Sequence, residues 1–416
     1  MNVPSPSQPT TTGPKRHTRW VMLALVWLVY ACFGITTGSI PPLVTTIMAD
    51  LSITNGQMGL ILGAWQFVYI LTASPLGAMV DRFGAKRSVG VGALVILASL
   101  VLRGLAVDFW TLLLAVGMFG IGGPIISIGA PKVTAQWFSG NERGVAAGIY
   151  ATGPWAGMAF ALATAAGVVV PLTGSWRGIS VVYGSIVLVV AIAWWLLAKE
   201  APESMRDEEP QGQRTPAWTV TKELLRIRNV QVVLVLAVGA FLANHALTAW
   251  MPTLLEESGF TPSKAGSWVA ISLVGSVIGQ MFIPPLAKAG RRVLTLGVLF
   301  SITAITTLAM ALLAGPALIS VVIVSGGFRS PMMSVMTLVL METRGIGARR
   351  MGAGAGLFFA AAEIGGFSGP LILGLMRGAS GDLISGVLIM AGVSVAMLVA
   401  LPLIKESVTP KAPAQD

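Results

Sequence analysis

Apolar residues in this chain come in runs longer than a soluble helix needs, separated by short polar interruptions. A helix that crosses the hydrocarbon core of a bilayer requires about 20 predominantly apolar residues. Twelve such stretches lie at approximately 20–48, 57–78, 88–107, 110–137, 144–170, 178–198, 229–250, 265–286, 293–314, 316–340, 353–376 and 383–403. The one long polar stretch between them, 199–228, contains Glu200, Glu203, Asp207, Glu208, Glu209 and Pro210 and divides six spans from six. It is too short to bury a core of its own. The pattern predicts an all-α integral membrane protein with twelve transmembrane helices in two six-helix, pseudo-symmetric halves. The expected layout is a disordered cytoplasmic leader over 1–19, an N-terminal half over 20–198 and a cytoplasmic linker over 199–228, partly helical around Lys222–Arg228. A C-terminal half over 229–404 and a cytoplasmic tail over 405–416 complete it. The leader ends in Lys15, Arg16, His17 and Arg19, as a secretory signal does. The apolar run after it exceeds the 7–15 residues of a signal core, and Pro41-Pro42 stands where a small-residue cleavage site would be, so it reads as an uncleaved first span.

Composition strengthens this picture. Of 416 residues, 55% are hydrophobic and only 11% charged, against about 25% charged in a soluble domain; mean hydropathy is +0.80. A soluble enzyme, a secreted disulfide scaffold and a disordered regulator are excluded. Cys32 is the sole cysteine, so no intrachain disulfide forms.

A net charge of +10 could mark a nucleic-acid binder, but its placement says otherwise. When loops are assigned alternately to two sides, 22 of the 27 Lys and Arg residues fall on the side of the termini and the 199–228 segment. The other side holds Arg103, Arg177, Lys264 and Arg377, and Arg329 lies within a span. By the positive-inside rule both termini are cytoplasmic and the protein is multi-pass in the cytoplasmic (inner) membrane. No basic stretch is interleaved with exposed aromatics, so no nucleic-acid partner is expected. Trp20, Trp110, Trp137, Trp176, Trp194, Trp195 and Trp250 fall near span ends, where interfacial belts place tryptophan.

A shift of 206 residues superimposes Gly84 on Gly290, Lys86 on Arg292, Arg143 on Arg349 and Gly148 on Gly354, a parallel repeat of the two halves. After the second span the chain reads Gly77-Ala-Met79-Val-Asp81-Arg82-Phe83-Gly84-Ala85-Lys86-Arg87. This resembles the G-x-L-x-D-R-x-G-x-R/K-R/K signature of the major facilitator superfamily, with Met79 in the leucine place. Trp137-Phe138 followed by Glu142-Arg143-Gly144, and Trp176-Arg177, have the same family look. In the second half Ala287 stands where an aspartate would match Asp81. The resemblance covers about 20–405 and implies a secondary transporter working by alternating access. It also implies a conformational latch made of Gly77, Asp81, Arg82, Gly84, Lys86 and Arg87, and a central cavity lined by spans one, four, seven and ten. On their own physics, Gly77 would let helices approach closely and the basic residues would hold the loop at an anionic membrane face, which leaves Asp81 unexplained. Gly148, Gly153-Pro154 and Gly157 in span five partly resemble an antiporter motif of the superfamily; close helix packing explains them equally well.

Ionisable residues inside spans are costly and point to function. Arg329, in Gly326-Gly327-Phe328-Arg329-Ser330-Pro331, sits mid-span and is expected either to bind an anionic substrate or to pair with an acid. Glu363, mid-way along span eleven, either carries a coupling proton or forms a permanent pair with Arg329. Lys132, roughly 8 Å along a helix from Trp137, either contacts substrate or gates, or snorkels to the cytoplasmic face. Arg103 reads as interfacial. Polar candidates for the substrate site are Tyr30, Gln66, Tyr69, Asn244, His245 and Gln280; Gln66 and Tyr69 share a helix face. Metal-ligand spacing, a nucleophile constellation and a phosphate-binding loop are all missing, and the string Gly352-Ala-Gly354-Ala-Gly356 enters a span without a preceding strand. No cofactor and no enzymatic activity are expected.

The excess of Arg329 and Lys132 over Glu363 favours a small organic or inorganic anion, monocarboxylate- or cyanate-like, carried by a proton-coupled symporter. The expected partners are that solute, membrane lipid and a proton, with the protein a monomer. A drug or metabolite efflux antiporter is the alternative, and a substrate sensor without net transport is a third class.

Overall fold

The computed structural model describes residues 16–200, 217–288, 290–343 and 346–405. Most of the leader, the middle of the 199–228 segment and nearly all of the tail therefore lie outside the described residues.

Twelve helices are long and apolar enough to cross a bilayer. They are α1 (His17–Leu51), α2 (Asn55–Phe83), α3 (Ala85–Gly104), α4 (Phe109–Trp137), α5 (Glu142–Thr173) and α6 (Gly178–Leu197). The second set is α7 (Arg228–Glu257), α8 (Pro262–Leu286), α9 (Arg292–Leu312), α10 (Gly315–Glu342), α11 (Gly352–Ser380) and α12 (Ile384–Leu403). Between α6 and α7 a short helix spans Ala217–Leu225, and extended backbone at Ile227 separates it from α7. The helical part of the linker thus begins earlier than expected and stops short of Arg228.

Local chemistry sets several helix ends. Thr54 opens α2 with a capping box, its hydroxyl accepting from the Gln57 N–H while Gln57 reaches back to the Thr54 N–H. Asp108 opens α4 in the same way with Thr111. Gly84 closes α2 at φ +83° and Gly290 precedes α9 at φ +79°. Both occupy the left-handed region where a side chain is strained, so the repeat seen in sequence is a repeat of the same turn.

The packing has the same twofold logic. In the first half α1 packs on α5, α2 on α4, and α3 on both α4 and α6; in the second α7 packs on α11, α8 on α10, and α9 on both α10 and α12. The halves meet through α2 against α11 and α5 against α8, and each contact is the other's symmetry mate.

These cross-half contacts concentrate at one end of the bundle, opposite the loops that carry most of the Lys and Arg residues. A Cβ on Gly59 or Gly63 of α2 would lie 2.6 Å from the Pro370 or Phe367 carbonyl oxygen of α11, so the two backbones touch there. Beyond Gln66 no residue of α2 is buried until Val80, and Phe67 and Leu71 are exposed. The halves are joined at the end opposite the basic loops and separate toward the basic end.

Candidate substrate-binding site

Where α2 leaves α11, polar and aromatic side chains gather near mid-span. Arg329 ends the first segment of α10, which resumes at Pro331. Pro331 has no N–H for the Gly327 carbonyl, and the neighbouring Gly326 carbonyl accepts from the Ser276 hydroxyl of α8 at 3.0 Å. Irregular backbone inside a membrane persists when a neighbouring helix serves it in this way. Arg329 is 7% exposed, yet its Nε and Nη1 are buried with no hydrogen-bond partner.

Glu363, also 7% exposed, lies mid-way along α11 with Oε2 unpartnered. Among the described residues no ion pair joins it to Arg329, so of the two alternatives the permanent pair locking α10 to α11 is not formed in this arrangement. Gln66 is 2% exposed and bridges the halves: its Nε2 lies 3.1 Å from Nδ1 of His245 on α7. Arg329 lies within electrostatic reach of His245, and Glu363 within reach of Tyr69.

Aromatic rings from the first half face this charged set. Tyr30 and Tyr69 both lie beside Ser127 of α4, and Tyr30 stacks on Tyr150 with centroids 6.1 Å apart. Trp65 touches Phe33, Phe119, Tyr69 and His245. The first half thus supplies rings and hydroxyls, and the second supplies Arg329, Glu363 and His245.

A family model described as Major Facilitator Superfamily matches residues 26–370. The chain belongs to the Major Facilitator Superfamily. Among the relatives of this superfamily member, the hexuronate transporter of Escherichia coli K12 is 24% identical over 340 residues, covering 77% of this chain and 76% of the relative. The D-galactonate transporter of Escherichia coli O6:H1 is 21% identical over 413 residues, covering 88% and 91%. A bacterial homologue of the human lysosomal transporter Spinster, crystallised in an inward-facing and occupied conformation, shares the fold with a TM-score of 0.75 at 18% identity, covering 94% of this chain and 97% of that one.

Most of the remaining candidate residues lie away from this core. Lys132 is not with Arg329; its Nζ lies 2.5 Å from Oδ1 of Asp81, so the ammonium pairs with the signature motif at the end of α2. Gln280 is spent on α10, where it bonds the Ser334 hydroxyl and accepts from Ser330 Oγ at 3.4 Å. Asn244 is half-buried beside His245 and makes no side-chain hydrogen bond among the described residues. Gly77 has no tight neighbour, since a Cβ there would meet only the tip of Ile128 at 3.5 Å. Arg82 lies over the Phe83 ring, Arg87 is exposed, and the Lys86 carbonyl accepts from Trp194 Nε1 at 2.9 Å.

Arg103, in the last turn of α3, is only 2% exposed. It donates to the Thr36 carbonyl at 2.7 Å and lies 3.0 Å from Ser39 Oγ, placing a cation at the C-terminus of the first segment of α1, where the helix dipole is negative. Belt anchoring suits Trp20, Trp110 and Trp195, which are exposed. Trp137, Trp176, Trp194 and Trp250 are buried, and the last three donate inside the bundle to Asp50, Lys86 and Pro370. Two of the span-five glycines pack α5 on α1: a Cβ on Gly157 would fall 1.9 Å from the Ala31 carbonyl oxygen and one on Gly153 2.9 Å from that of Trp27, while Gly148 has no neighbour within 4 Å. Helix packing therefore explains Gly153 and Gly157 and leaves Gly148 aside.

Ser127, Trp65 and Tyr150 were missed in sequence because serine and aromatics inside apolar runs look like packing residues. The contact of Arg377 with the other half was missed too, since pairing across 322 residues leaves no local signal.

Proposed function

We propose that this superfamily member is a secondary transporter that carries a small organic anion, specifically a hydroxylated sugar acid of the hexuronate or aldonate type, across the cytoplasmic membrane. The observation that carries the reading is Arg329: a buried guanidinium with two unpartnered nitrogens and no acidic residue paired to it. A planar fork of N–H donors matches a carboxylate. The named substrates of the hexuronate and D-galactonate transporters support sugar acids over a monocarboxylate- or cyanate-like ion.

The charge asymmetry orients the bundle with its basic end in the cytoplasm, so the arrangement described is open inward, with the outer end closed by α2 on α11 and α5 on α8. Transport would proceed by rocking the halves about the Arg329 region, opening the outer contacts and closing the basic end. Glu363 is the proposed proton carrier. The pair Asp81–Lys132 is the proposed latch element, holding the loop after α2 to α4 within the first half.

Purified protein in liposomes preloaded with unlabelled galactonate should exchange it for labelled galactonate and for galacturonate. Exchange of lipophilic cations and not of these anions would overturn the reading and make drug efflux the function. Specific binding without exchange would make the protein a sensor.

A further inference from the structure

Three unpartnered groups in the polar core differ in kind. Arg329 offers N–H donors at Nε and Nη1, whereas Gln66 Oε1 and Glu363 Oε2 are acceptors without donors. All three side chains belong to residues more than nine-tenths buried. A buried polar atom left without a partner is costly, so the core is built for a ligand that brings both acceptors and donors.

The side chains that carry the two acceptors converge at Gly366. A Cβ placed on Gly366 would fall 2.6 Å from Glu363 Oε2, 3.3 Å from Gln66 Cγ and 3.6 Å from His245 Cδ2. The missing side chain at Gly366 leaves these three groups around one point. Gln66 turns its amide nitrogen to His245. With the amide in this orientation Nε2 donates to His245 Nδ1 across their 3.1 Å contact, which puts the ring hydrogen on Nε2. With Nε2 held by His245, the amide has no second use for Oε1. The ring is itself packed by Trp65 and Phe241, with centroids 6.1 and 5.3 Å away.

We infer that Gln66 and Glu363 form a hydroxyl-reading subsite, distinct from the carboxylate position at Arg329, and that His245 is the positioning residue that aims Gln66 Oε1 at the ligand. A simple carboxylate fills only the Arg329 side and leaves two buried acceptors unpaired. A polyhydroxy acid satisfies both. The inference rests on the anion-transport reading and adds the residues that separate hydroxylated from plain carboxylates. Because Gln66 and His245 come from different halves, the subsite is complete only while α2 and α7 are in register.

The test is displacement binding to the purified full-length protein with galactonate and hexanoate, two six-carbon monocarboxylates that differ in their hydroxyl groups. Wild type should prefer galactonate at least tenfold. Gln66→Leu should weaken galactonate about ten- to hundredfold while changing hexanoate less than about threefold, so the preference collapses. His245→Leu should collapse it likewise, and His245→Asn, which keeps an acceptor for the Gln66 amide, should restore it. A fold defect would weaken both ligands together and would not be rescued by asparagine. Equal wild-type affinity for the two acids, or equal loss of both in Gln66→Leu, would overturn the hydroxyl subsite while leaving anion transport standing. A preference that survives His245→Leu would overturn the positioning role. Failure of wild type to bind either acid would instead overturn the reading beneath it.

Discussion

Arg329 and Glu363 project from α10 and α11 into one polar core without forming an ion pair, each keeping buried polar atoms with no partner. Two opposite charges in low dielectric would ordinarily find each other, and a membrane makes their separation costly. Keeping them apart leaves each available to something that arrives from outside the protein. For Arg329 that is a carboxylate; for Glu363 it is a proton or a hydroxyl donor.

Glu363→Gln keeps the side-chain shape and removes the titrating group. It should retain galactonate counterflow in liposomes, where no net proton movement is needed, and lose uptake driven by an imposed pH gradient. Gradient-driven uptake at the wild-type rate in this variant would remove Glu363 from coupling.

The Asp81–Lys132 pair is largely solvent-accessible, with Asp81 the more exposed. Such pairs contribute only about 0.2–1 kcal/mol to stability, so its removal should act on transport rate and not on folding. Asp81→Asn and Lys132→Met should leave the melting temperature within about 2 °C, by the usual scaling of stability to Tm, and slow transport severalfold. Exchanging the two residues should recover part of the rate. A large loss of melting temperature with either single variant would show the pair to be a fold element and not a latch.

At the opposite end Arg377 of α11 ties both halves together. Its Nε donates to Glu257 Oε1 at 2.7 Å within the second half, and its Nη1 donates to Asn55 Oδ1 of α2 at 2.6 Å across the interface. The Thr45 hydroxyl adds a second cross-half bond to Glu256 Oε2 at 2.8 Å. A hydrogen bond to a charged group contributes roughly 1.5–3 kcal/mol, so Arg377→Met should move the inward–outward equilibrium by about tenfold or more toward outward-open. Spin labels on the loops after α1 and α7 would report this as a growing long-distance population. An unchanged distance distribution would remove Arg377 from the gate.

The fold was legible in sequence because lipid leaves few options. Runs of about 20 apolar residues become helices, and the 206-residue repeat reappears as the matched turns of Gly84 and Gly290. The loop motif led to Asp81 but not to Lys132, because a lysine roughly 8 Å from the helix end reads equally as a substrate or gate residue and as one that snorkels to the cytoplasmic face until its partner is seen. The second half shows the same limit. Ala287 replaces the aspartate, yet Arg292 reaches Glu342 at 2.7 Å, so a loop-to-helix ion pair survives there with other residues. For Arg103 hydropathy places the residue by depth and says nothing of the helix C-terminus that it meets. Arg329, Glu363, Gln66 and His245 were each visible as costly polar residues; which would pair and which would stay open is decided by helix rotation, which the sequence does not encode locally.

The most direct test of the account is a ligand-induced melting shift of the purified protein, wild type beside Arg329→Gln, against one panel of sugar acids and plain carboxylates and another of lipophilic cations. A ligand at about 100 times its Kd adds roughly 2.7 kcal/mol of stability. Losing one partner of a buried charged contact costs about 2–5 kcal/mol, at least a thirtyfold loss of affinity. Stabilisation of wild type by sugar acids that vanishes in a folded Arg329→Gln protein is the predicted result. Undiminished stabilisation of Arg329→Gln by the same acids, or stabilisation of wild type by cations alone, would contradict it.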